Sequence, residues 1–228
     1  MTTKTIITVG RQFGSGGRAI GKKIAEDLGI PYYDKEILSR AAKESGICEV
    51  LFENHDEKPT NSFLYSLVMD TYAAGYAPMG MQEMPLSQKV FLAQFDAIKK
   101  VAAEGPCVIV GRCADYALED FDNVVSVFVH ASLEKRVARV AEYENIDIAA
   151  AKKMAQQNDK KRASYYNYYT NKEWGERCGE TDLYYKLLPT TTELPFISLL
   201  TKSILKHLSK IKSFRVRIIR LCTLQKAS

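Results

Sequence analysis

The run Thr5-Ile-Ile-Thr-Val-Gly10 is short, β-branched and without polar alternation, which predicts a strand buried on both faces. After a glycine-rich turn the spacing becomes helical. Ala19/Ile20, Ile24/Ala25 and Leu28 predict a helix over 18–28, stopped by Gly29. Residues 30–34 predict a brief second strand and 35–45 a second helix. From 46 to 86 the periodicity is patchy and broken by Gly75, Pro78, Gly80 and Pro85, which predicts a helical excursion rather than a sheet element. Val90, Phe91, Phe95, Ile98 and Val101 place a long helix over 86–104, ended by Gly105-Pro106. Residues 107–111 and 123–129 predict the third and fourth strands. Ser132 caps a helix over 133–143, and Asp147 opens another over 148–169. Residues 184–191 predict a fifth strand, with Pro189 against a central position, and 196–208 a terminal helix. Strands without alternation, separated by helices, predict an α/β fold around a parallel sheet covered on both faces.

Composition narrows this picture. The chain has 228 residues, 46% apolar and 26% charged, as expected for one folded domain and not for bulk disorder or a coiled coil. No apolar run reaches the 18–20 residues or so that a membrane span needs, and no apolar leader opens the chain, so a cytoplasmic protein is expected. The net charge of +5 comes from one end. From Leu194 onward there are eight Lys/Arg and no Asp/Glu, leaving 24 basic and 27 acidic side chains, a net −3, in residues 1–193. A dedicated nucleic-acid binder would carry its basic surface on the folded domain, so no specific nucleic-acid partner is expected. One domain over 1–212, followed by a disordered basic tail over 213–228, is the expected layout. The five cysteines form no C-x-x-C pair, which argues against structural zinc and a disulfide framework.

The strongest chemical signal is Gly10-Arg-Gln-Phe-Gly14-Ser-Gly16-Gly17-Arg18, between the first strand and the first helix. Glycines there let backbone N–H groups turn inward, and the helix end adds partial positive charge, which suits a phosphate. Two motifs compete. Gly14-x-Gly16-x-x-Ala19, with Asp34 20 residues after Gly14, matches a dinucleotide fingerprint. The loop is long for it, because Arg11, Gln12 and Phe13 separate the strand from Gly14. The longer phosphate loop, G-x-x-x-x-G-K-[ST], fits the loop better, but its lysine and hydroxyl positions hold Gly17 and Arg18. Arg18 is the obvious substitute cation, binding as a fork.

Other residues gather on the same edge. Arg112 follows the third strand, where ligands bind in open α/β sheets, and Asp34 ends the second. Arg40 stands in the next helix, and Lys160, Lys161 and Arg162 lie on a helical hairpin able to fold over that edge. The tyrosines at 165, 166, 168 and 169 are expected to pack that hairpin rather than stack on a base.

The set GRQFGSGGRAIG (10–21), PYYD (31–34), VIVGRCADY (108–116), VFVHASLEKRVARV (127–140) and NDKKRASYYNYYTNKEWG (158–175) resembles the cytidylate kinase-like branch of the P-loop nucleoside monophosphate kinases. The resemblance spans roughly residues 4–182. It implies a three-layer α/β/α fold of P-loop NTPase type, with a five-stranded parallel sheet, a helical insertion over 46–86 and a helical lid over 142–172. It implies a phosphotransferase moving the γ-phosphoryl of ATP, with magnesium, to a nucleoside monophosphate or similar small acceptor. Gly14, Ser15, Gly16, Gly17 and Arg18 would hold the donor phosphates. Asp34, Arg40, Arg112 and Asp115 would form the acceptor side. Arg18, Arg139, Lys161 and Arg162, with Arg136 beside them, would neutralise charge on the transferred group. Ser15 is the candidate to reach magnesium, with Asp115 as a nearby acid. Cys113 stands where cytidylate kinases carry an acid. The alternatives are a nucleotide-binding regulatory protein with little catalysis, motivated by the missing lysine, and a dinucleotide-dependent oxidoreductase.

Overall fold

The computed structural model describes residues 5–48, 51, 85–175 and 183–186. Almost all of the expected insertion, the expected helix over 196–208, the basic tail, and Cys178 and Cys222 lie outside them. In chain order the described elements are β1 (Ile6–Arg11), α1 (Gly17–Leu28), β2 (Tyr32–Tyr33), α2 (Glu36–Ser45), α3 (Leu86–Glu104), β3 (Val108–Val110), α4 (Ala114–Ala117), β4 (Val124–His130), α5 (Leu133–Glu144), α6 (Ile148–Thr170) and β5 (Leu183–Lys186).

The strands form one parallel sheet in the order β2-β3-β1-β4-β5. Ile7, Thr8 and Val9 of the central strand register with Val108, Ile109 and Val110 on one side. Ile6 to Arg11 register with Val124 to Val129 on the other. With β3 rather than β2 beside β1, the order departs from the dinucleotide-binding order 3-2-1-4-5-6. The dinucleotide reading falls there, although its fingerprint is present in the loop.

Side chains sort by strand parity. Ile7, Val9, Val108, Val110, Val127 and Val129 pack beneath Ile20, Ile24 and Ala25 of α1. Ile6 and Ile109 face α2, α3 and α4 on the other side, together with Tyr165 and Tyr169 of α6. The chain therefore leaves β1 across one face and leaves β3 across the other. That divergence opens a crevice at the carboxyl ends of β1 and β3, where ligands bind in sheets of this kind.

Three details differ from the sequence reading. β4 alternates between buried and half-buried positions, because Thr8 and Ser126 share a hydroxyl hydrogen bond of 2.9 Å on its second face. On that face Phe128 meets Trp174 edge-on at 5.3 Å. β5 is described from Leu183, one residue earlier than expected, to Lys186, and the rest of the expected strand, with Pro189, lies outside the described residues. The short α4 carries no period long enough to read from sequence.

α6 divides into two halves. At its start Asp147 accepts from the Ala150 N–H at 2.8 Å, and Ala151 and Met154 pack on Val137 and Val140 of α5. Toward its end Tyr169 stacks on Phe91 with centroids 3.9 Å apart and planes within 3°. Tyr165 donates to Gln94 Oε1 at 3.1 Å. The tyrosine cluster is core packing, as its spacing suggested.

Phe91 is 2% exposed, so Phe91→Ala should lower unfolding free energy by about 3–5 kcal/mol in urea, whereas Tyr143→Ala, at a position 85% exposed, should change it by less than about 0.5. Burial pushes the Cys107 thiol up to about 11, so roughly one in a thousand is thiolate at pH 8. Alkylation at pH 8 followed by peptide mapping should modify exposed Cys48 well before Cys107, which should react only on unfolding.

Candidate functional site

The loop between β1 and α1 turns on Gly14 and Gly16, with φ of 73° and 86°. Both lie in the left-handed region that glycine enters without penalty. Gly14 is also fixed by space, since a Cβ there would lie 2.7 Å from Val140 and 2.9 Å from the Arg136 carbonyl oxygen on α5. α1 has no side-chain cap at Gly16 and no acid in its first turn. Neither the cap position nor the first turn thus supplies an anion to its leading N–H groups and the positive end of its dipole.

Every carbonyl of the loop from 11 to 14 accepts a hydrogen bond. Arg162 Nη1 donates to Arg11 O at 3.4 Å. Ser15 Oγ donates to Gln12 O at 2.8 Å. Arg136 Nη1 donates to Phe13 O at 3.0 Å, and Arg139 Nη1 to Gly14 O at 2.6 Å. Asp159 of α6 accepts from the Phe13 N–H at 2.7 Å and pairs with Arg136 at 2.6 Å. The Arg162 guanidinium lies 5.5 Å over the Phe13 ring. Gln12 ties the loop to β4, donating its N–H to Val129 O at 3.0 Å and accepting from the Ala131 N–H at 3.3 Å.

Across the crevice, Gly111, Arg112 and Cys113 have φ of 76°, 54° and 54° in succession. The two non-glycine residues store about 1–3 kcal/mol of strain each, a cost seen mostly at functional sites. The turn folds Arg112 back so that its Nη1 donates to Asp34 O at 2.8 Å and Asp34 Oδ1 at 3.1 Å. Its side chain is 2% exposed. Arg18 Nε holds Asp34 Oδ2 at 2.6 Å from the loop side. α2 has no side-chain cap, so Asp34 serves the two arginines and not the helix behind it.

The expected residues thus fall into groups. Gly14, Ser15, Gly16, Gly17, Arg18, Asp34 and Arg112 come together at one edge of the sheet, and Arg139 and Arg162 brace the loop behind them. Ser15 is fully buried, with its hydroxyl turned to Gln12 O. Asp115 accepts from the Tyr166 hydroxyl at 2.7 Å, and burial holds its carboxyl above the usual range against the pull of that bond. Lys161 is exposed on α6. Arg40 is not brought to this edge. It pairs with Glu44 and with Glu104, in the last turn of α3 before the amino end of β3. Asp159 was missed as a functional residue. Its signal was the spacing to Arg162, three residues on and so on the same helical face.

A glycine loop entering an uncapped helix, at the carboxyl edge of a β2-β3-β1-β4-β5 parallel sheet, defines a nucleotide-binding α/β protein of the P-loop class. The chain belongs to the cytidylate kinase-like family, which it matches over residues 6–188. It is 28% identical over 168 residues to the cytidylate kinase of Pyrococcus horikoshii, across 73% of this chain and 72% of that one. Among solved structures it is similar to an uncharacterized protein of Eubacterium ventriosum, with a TM-score of 0.62 and 29% identity over 90% of this chain and 98% of the other.

Asp159→Ala removes the acceptor for Phe13 N–H and the partner of a buried guanidinium. It should cost about 2–4 kcal/mol in chemical denaturation and free the loop, read as faster amide exchange at residues 13–16.

Proposed function

We propose that this protein is an ATP-dependent phosphotransferase of the nucleoside monophosphate kinase type, moving the γ-phosphoryl of ATP to a cytidylate-like or similar small acceptor. One observation carries the reading. The glycine loop enters the uncapped start of α1 at the same sheet edge as an Asp34 carboxylate held between Arg18 and Arg112.

The amides of residues 14–18 take the donor phosphates in this reading, and Arg18 joins the two halves of the site. Asp34 and Arg112 orient the acceptor, while Asp115 is held by the Tyr166 hydroxyl. Phosphoryl transfer of this kind needs positioning and charge stabilisation more than covalent help from the protein, and the cluster of guanidinium groups suits that demand. Lys161 and Arg162 approach from α6, whose amino-terminal half acts as the lid and excludes water. In this reading the magnesium ion that accompanies ATP is held chiefly by phosphate oxygens and water, with Ser15 as the protein candidate to reach it. Arg40, engaged with two glutamates, has no part in the chemistry.

A second reading rests on Gly17 in the lysine position, namely a nucleotide binder with little or no turnover. A coupled ADP-release assay with Mg-ATP against CMP, dCMP, UMP, AMP, GMP and TMP separates the two. The kinase reading expects turnover with at least one of them. It also expects Arg112→Met to lower kcat/KM for that acceptor about 10- to 100-fold while ATP affinity holds within about threefold. ATP binding without ADP release across the panel would favour the second reading.

A further inference from the structure

We propose that Arg11 is the internal cation of the donor-phosphate site, taking the place of the lysine that position 17 lacks; this rests on the ATP-binding reading above. Arg11 ends β1 on the same face as Ile7 and Val9, so its side chain starts beneath the first turn of α1. A Cβ at Gly17 would overlap the Arg11 Cβ and lie 3.0 Å from its Cγ. The two stems compete for one space, and one of the two residues must be glycine. In this chain the arginine occupies it.

From there the side chain runs across the crevice. A Cβ at Gly111 would overlap Arg11 Nη1 and lie 2.8 Å from Cζ, so the guanidinium rests on the backbone at the carboxyl end of β3. Arg11 therefore spans the gap between β1 and β3, the point where the chain diverges to the two faces and where an anionic ligand is expected. It is only 7% exposed. It shares this edge with the positive end of α1, Arg18 and Arg112, and a polyanion is the ligand that such a concentration of positive charge fits. Arg18 is a weaker candidate for the lysine's role. Its side chain is 56% exposed and committed through Nε to Asp34. A cation built into the floor of the loop is also held beside the helix start by its own stem, and its planar fork can bond two phosphate oxygens at once.

Calorimetry with Mg-ATP on the full chain tests this, using Arg11→Met, which keeps the stem against Gly17 and Gly111, and Arg11→Lys, which keeps the charge. Arg11→Met should weaken ATP binding about 10- to 100-fold, with Arg11→Lys retaining most of the affinity. If Arg11→Met does not fold by circular dichroism, the exchange variant Arg11→Gly/Gly17→Lys carries the test. It restores a lysine in the space that Arg11 vacates and should bind ATP within about tenfold of the wild type. A folded Arg11→Met protein that binds ATP within twofold of the wild type overturns the proposal and leaves the kinase reading standing. A folded exchange variant with no ATP affinity overturns it in the same way. A wild-type protein that binds no ATP overturns both.

Discussion

Four carbonyl oxygens, those of residues 11–14, each accept a side-chain hydrogen bond, and two helices are packed where they supply three of the donors. A glycine-rich loop left to itself has no preferred face. Here Arg162, Arg136 and Arg139 donate to three of those oxygens, and Ser15 to the fourth. With those acceptors occupied, and the N–H groups of Gln12, Phe13 and Ser15 bonded to Val129, Asp159 and Gln12, the path of the loop is fixed as far as the start of α1. The arginines come from α5 and α6, so these helices must pack behind the loop, and the Asp159 contact to both Phe13 and Arg136 fixes their register. The loop is therefore preorganised by groups that need never touch a ligand, which is how a binding site avoids reorganisation at the moment of use.

The opposite wall of the crevice is built on strain rather than on bracing. Three successive positive φ angles end β3, and Arg112 is turned back into Asp34 by them. A side chain 2% exposed that makes bonds to both a carboxylate and a carbonyl is a rigid object. Arg18, more than half exposed, is the mobile partner of the same carboxylate. Asp34 thus joins a fixed cation to a movable one. A ligand phosphate that draws Arg18 away would leave Asp34 still neutralised by Arg112, so the acceptor wall keeps its shape while the donor side adjusts.

Much of this was legible in the sequence, and the exceptions share a cause. The long helix over 86–104 was readable to the residue because its apolar period and its Gly-Pro stop agree. The parallel sheet followed from unalternated β-branched runs. The glycine loop, Asp34 and Arg112 followed from their places after strands. Arg40 looked equivalent to these, yet its helix carries it toward Glu104 and away from the strand ends, which residue type cannot reveal. Arg136 and Arg139 were expected to face a transferred phosphoryl, whereas they donate to the carbonyls of Phe13 and Gly14; only the packing of α5 against Gly14 determines that direction. Asp159 was hidden in a run that reads as a solvated charged face. The dinucleotide fingerprint is the opposite case, a local pattern that is present but overruled by strand order.

The two halves of α6 place a limit on how a lid of this kind can move. Its carboxyl-terminal half carries Tyr165 and Tyr169 into the main core, where Tyr169 lies flat on Phe91. Rigid rotation of the whole helix would pull both rings from that contact, at a cost of several kcal/mol for side chains so buried. Among the described residues, its amino-terminal half packs on α5 and Phe13 through Ala151 and Met154. Bending within α6 ahead of Tyr165 would leave those ring contacts in place, whereas rotation of the whole helix would not. Asp159 and Arg162, which lie on that boundary, are bonded to the loop itself. Movement of α6 is thereby coupled to the loop: to lift the helix is to release the Arg11 carbonyl and the Phe13 N–H together.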